Sequence, residues 1–155
     1  MSLSDHTIPV YRGIRWKENS EDSGAEKRCS FVGGRVKEIH YIQQPTEYLC
    51  GQACVAMIAN VSVDDVIRVM NNDQATGKKD IERALDHYGI RQAKTMTKVD
   101  NDTPLPPVCI LKVLLPRYSH WVLFYHGKYY DPEFGLMDGL YCKAKIQAYL
   151  ELFPD

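Results

Sequence analysis

The chain has 155 residues, 45% hydrophobic and 25% charged, with a formal net charge of -1. That length suits one domain with a real core, since a chain of this size buries roughly 70% of its unfolded surface. A near-zero charge supplies no global field for nucleic acid or an acidic membrane, and no apolar run reaches the roughly 18–20 residues that a bilayer span needs.

The five cysteines, Cys29, Cys50, Cys54, Cys109 and Cys142, are odd in number and irregularly spaced. They read neither as a disulfide framework nor as a common zinc pattern, so no metal is expected and a reducing cytoplasm is the expected compartment. The N-terminus lacks the apolar middle of a signal peptide; export by a dedicated secretion system would leave no such mark.

Residues 1–34 are polar and weakly periodic and are expected to form a flexible arm, ending at Gly33-Gly34. The folded domain is expected over 35–155. Arg35–Ile42 alternates enough for a short strand, stopped before Pro45. Residues 50–60, CGQACVAMIAN, read as a helix apolar on nearly all sides, hence a buried, central one. Ser62 caps a second helix over 63–71, with Asp64 and Asp65 in its first turn. A third begins at Thr76 or Gly77 and ends at Gly89.

The period then changes. Residues 90–98 suit a strand, the proline-rich 103–107 a rigid loop, and Val108–Leu115 a strand. Ser119–Tyr125 and Lys128–Asp131 form a hairpin about His126-Gly127. An amphipathic helix is expected over about 142–152. Helices first and strands second predict an α+β fold, the helices packed on an antiparallel sheet.

The chemistry concentrates in four residues. A thiol must ionise to attack, and a free cysteine with a pKa of about 8.5 is mostly protonated at neutral pH. Cys50 stands where the buried helix begins, at its positive end, and Gly51 follows it without a side chain to obstruct a substrate. His120 lies on an apolar strand beside Trp121 and is the best candidate for the imidazole that a cysteine nucleophile requires. With a two-residue turn at 126–127, Tyr125 faces Lys128 and Val122 faces Asp131. His120 and Asp131 are then diagonal neighbours on one face. Gln44, six residues before Cys50, can offer a side-chain amide to an oxyanion. Cys54 and Cys109 read as core, and His40, His87 and His126 as surface or turn residues.

The run QPTEYLCGQACVAMI, followed by HWVLF and YYDPEFG, resembles the papain-like cysteine peptidase superfamily. Within it, the likeness is to the bacteriocin-processing, double-glycine peptidase family and its stand-alone relatives. The order Gln, Cys, His, Asp is also theirs, and the likeness runs from about Ile39 to Gly135. It implies a papain-like fold with Cys50 as nucleophile, His120 as general base, Asp131 as the residue that orients it and Gln44 in the oxyanion hole. Gly51 and Trp121 would line the substrate site. Two departures stand out: Leu49 replaces the polar residue common before the cysteine, and the His-to-Asp interval is short. No transporter domain follows, so the export role of transporter-linked members is not carried over.

The expected activity is hydrolysis of amide bonds, foremost peptide bonds, without metal or organic cofactor. The expected partner is a peptide or protein; the oligomeric state is not legible. One alternative keeps the chemistry and changes the substrate: a protein glutamine deamidase, a transglutaminase-type enzyme or a cell-wall amidase, acting as an effector. A second is a binding module that keeps the fold without activity.

Overall fold

A computed structural model describes residues 38–100 and 102–154. The arm at 1–34, Cys29, Gly33-Gly34 and the start of the strand expected from Arg35 lie outside the described residues. From Glu38 to Ile42 the chain runs without strand pairing, so that strand is absent over its described part.

Among the described residues three helices come first: α1 (Cys50–Ala59), α2 (Val63–Met70) and α3 (Lys78–His87). Seven strands follow: β1 (Arg91–Gln92), β2 (Thr97–Lys98), β3 (Val108–Leu114), β4 (Ser119–Tyr125), β5 (Lys128–Asp131), β6 (Gly135–Met137) and β7 (Lys145–Phe153). The sheet is antiparallel, in the order β1-β7-β3-β4-β5-β6, with β2 also paired to β7. The α+β architecture expected from the sequence is therefore present.

Local chemistry accounts for the helix boundaries. The Ser62 hydroxyl accepts from the Asp65 N–H at 3.1 Å and caps α2. Asn60 and Asn71 close α1 and α2 in the left-handed region, which asparagine tolerates better than most residues. Helix α1 differs at its start: Leu49 provides no side-chain cap.

The hairpin is the one anticipated. Tyr125 pairs with Lys128, and His126 and Gly127 both have positive φ, 45° and 86°, the backbone of the tight two-residue turn that matches strand twist.

Two layers of apolar side chains sandwich the sheet. On one face Ile110, Trp121, Leu123, Leu150 and Leu152 pack with α1 residues such as Cys54, Val55 and Ile58. On the other, Cys109, Leu111, Val113, Val122 and Phe124 are covered by Leu105, Leu140, Ile146 and Tyr149.

The helix expected over 142–152 is instead strand β7, and the reason lies in a bulge. Apolar residues at 146, 149, 150 and 153 mimic a helical stripe. Along β3 the partner shifts from Lys112↔Ala148 to Val113↔Ile146, skipping Gln147. The extra residue puts Ile146 on the opposite face from Leu150, erasing the two-residue alternation that would have marked a strand. Pairing wins because β3 is buried along most of its length. Left as an edge, it would hold unsatisfied backbone N–H and C=O groups away from water.

Candidate active site

Cys50 opens α1, half-buried and with a free thiol. With no side-chain cap at Leu49, nothing from that position competes for the first backbone N–H groups of the helix. The sulfur is thus mounted at the positive end of a helix whose next eight residues are all buried.

His120 and Asp131 come from adjacent strands. Extending the Leu123↔Tyr130 register by one residue sets Asp131 opposite Val122, diagonal to His120. The imidazole Nε2 lies 2.7 Å from Asp131 Oδ1, and both residues are buried, at 3% and 2% exposure. The same carboxylate oxygen accepts the backbone N–H groups of Glu133 at 2.9 Å and Phe134 at 3.1 Å, which fixes its direction. The Tyr41 hydroxyl donates to the Asp131 carbonyl.

The imidazole also hydrogen-bonds Cys50. Burial opposes a charge on His120, but the charge and hydrogen bond of Asp131, together with those of Cys50, outweigh it; the ring keeps its proton up to about 10. At neutral pH the site therefore holds an imidazolium beside the thiol.

Gln44 is tethered to the same turn: its backbone N–H donates to the Pro132 carbonyl at 2.9 Å. Its side-chain Oε1 is buried without a hydrogen-bond partner among the described residues.

The two expected substrate-lining residues have packing roles. A Cβ built on Gly51 would stand 2.1 Å from Thr76 Oγ1 and 3.3 Å from Trp121 Cδ1, so the loop before α3, not open space, fills the gap beside this glycine. Trp121 is 7% exposed, belongs to the helix-facing core and donates its indole N–H to the Thr76 carbonyl at 3.1 Å.

The other thiols and imidazoles lie apart from this chemistry. Burial, reinforced by the charges of Cys50 and Asp131, pushes the Cys54 thiol well up. Burial pushes Cys109 up to about 12. His40, His87 and His126 are exposed. Among the described residues, no group of three or more His, Cys, Asp or Glu could hold a metal ion, and no helix is long and apolar enough to cross a membrane.

Sequence reasoning missed four neighbours. Glu133 brings Oε1 to 3.9 Å from His120 Nδ1 and accepts the Tyr118 hydroxyl at 2.7 Å and 2.8 Å. Tyr41 anchors the Asp131 backbone. Gln52, fully buried, donates to the carbonyls of Asn72 at 2.8 Å and Gln74 at 2.9 Å, clamping the loop that packs on Gly51. The only sequence signal was position: Glu133 stands two residues after Asp131, and Gln52 is the one polar side chain in an apolar helix.

No family model matches the sequence, and no curated protein matches it. Among solved structures, the chain is similar to a double glycine motif protease from an AMS/PCAT transporter, determined in complex with the leader peptide. The two are 18% identical with a TM-score of 0.58, over 78% of this chain and 94% of that one. The fold is papain-like: helices ahead of an antiparallel sheet, with Cys50 opening the central helix.

Proposed function

We propose that this protein is a cysteine hydrolase that cleaves amide bonds, foremost peptide bonds, through Cys50, His120 and Asp131. The observation that carries the reading is the buried His120 ring, which contacts Asp131 at 2.7 Å through Nε2 and bonds the Cys50 thiol.

The chemistry follows from these contacts. The Cys50 sulfur, as the thiolate, attacks the carbonyl carbon. The Cys50 N–H and the Gln44 amide stabilise the oxyanion, and His120 gives its proton to the leaving amine. Acylation removes the sulfur's charge and its hydrogen bond to His120. Both had helped the ring to keep its proton, so their loss makes His120 a better base for the water that releases the acyl group.

A peptide substrate is supported by the leader peptide bound to the structural neighbour. The test is labelling with a peptide acyl-electrophile probe, followed by turnover assays on peptide libraries. Covalent capture at Cys50 and peptide cleavage that Cys50→Ala abolishes are expected. Ammonia release without chain cleavage would transfer the chemistry to a glutamine side chain instead.

A further inference from the structure

The carboxylate of Glu133 sits beside the reactive histidine but outside the proposed Cys–His–Asp relay. Its Oε1 lies 3.9 Å from His120 Nδ1, and its side chain is 17% exposed. Tyr118 holds it there by donating to both carboxylate oxygens. Burial, then the hydrogen bond and charge of Glu133, raise the Tyr118 hydroxyl far above its usual range, so it remains a donor wherever the enzyme would work. The tyrosine ring meets the His120 ring edge-on, with centroids 6.3 Å apart, and the Phe134 ring meets it edge-on at 6.4 Å.

We infer that Glu133, clamped by Tyr118, is a positioning residue that acts through His120, holding the imidazolium between two carboxylates and setting the pH window of the Cys50–His120 ion pair. The inference rests on the cysteine hydrolase reading of the site. The charged or titratable groups around His120 are Cys50 at the start of α1, Asp131 at the end of β5, Glu133 in the turn after it and Tyr118 before β4. Asp131 engages Nε2; Glu133 adds negative charge on the Nδ1 side. A negative charge there makes the His120 proton harder to lose. It therefore displaces the alkaline limit of the ion pair toward higher pH.

The test is the pH–rate profile of iodoacetamide alkylation at Cys50, read peptide by peptide by mass spectrometry so that Cys142 and Cys29 do not contribute. Thermal melts run alongside. Glu133→Gln keeps the shape and removes the charge; the alkaline limb should move toward lower pH by about one unit. Glu133→Asp, which keeps the charge, should recover most of the alkaline limb. A folded Glu133→Gln protein with the alkaline limb unmoved overturns the inference alone. Wild-type Cys50 alkylating no faster than free cysteine overturns the hydrolase reading, and this inference with it.

Discussion

The backbone N–H of Gln44 donates to the carbonyl of Pro132 at 2.9 Å, joining the segment before α1 to the turn after β5. Tyr41 adds a second tie through its hydroxyl to the Asp131 carbonyl. The proposed oxyanion donor and the proposed orienter of His120 are thereby parts of one anchored unit. Gln44→Ala should lower kcat about 10²-fold with little change in KM, because its amide would act on charge that develops only in the transition state. Steady-state kinetics on a cleaved peptide checks this; a rise in KM alone would make Gln44 a simple binding residue.

Cys50 and Cys54 separate chemistry from packing. Cys50→Ala should abolish turnover with little change in melting temperature, since the side chain is half-buried at a helix start. Cys54 is fully buried, so Cys54→Ala should lose about 1 kcal/mol of stability and retain measurable turnover. Equal unfolding of both variants would make Cys50 structural.

Asp131→Asn keeps an oxygen for the Glu133 and Phe134 N–H groups and removes the charge. Turnover should fall roughly 10²–10⁴-fold, the range of a general acid–base contribution. The alkaline limit of Cys50 alkylation should fall as well, because the Asp131 charge is the largest influence holding the proton on His120. A variant with wild-type kinetics would exclude Asp131 from the site.

How much of this arrangement was legible follows from what each residue reveals locally. The Cys50 helix was legible because a ten-residue apolar run admits little else. The hairpin was legible because Tyr125 and Lys128 bracket a His-Gly pair that can take positive φ. From that turn, alternation alone led to the His120–Asp131 diagonal. Strand β7 was not legible: Gln147 is skipped in its pairing with β3, and no local pattern announces a bulge that only a distant partner creates. The role of Gly51 was hidden for the same reason, since Thr76 reaches it across 25 positions of sequence.

Stability should depend on pH through His120. Its folded-state value, about 10, lies above the ordinary 6.5, so the folded form binds the proton more tightly. This contribution is complete below pH 6.5 and is lost progressively as pH climbs from there through about 10. Urea unfolding at pH 6, 8 and 10 should show wild-type stability falling more steeply than that of His120→Gln. Parallel curves would mean that His120 carries no extra proton affinity in the fold.

Gly51→Ala should destabilise the chain by about 1–3 kcal/mol, the usual cost of overpacking. The added methyl meets Thr76 Oγ1 at 2.1 Å, and the Thr76 Cβ and Trp121 Cδ1 at 3.3 Å leave it little room. The double variant Gly51→Ala with Thr76→Ala should recover part of the loss. Melts of the single and double variants check it; an unaffected single variant would show that the loop yields freely.

The relay is tested most directly by mapping, with mass spectrometry, where a peptide acyl-electrophile attaches in wild type and in His120→Ala. One adduct on Cys50, formed far faster than on free cysteine and lost in His120→Ala, is the predicted result. Label on the exposed Cys142 in place of Cys50, or a Cys50 adduct indifferent to the histidine, would contradict the account.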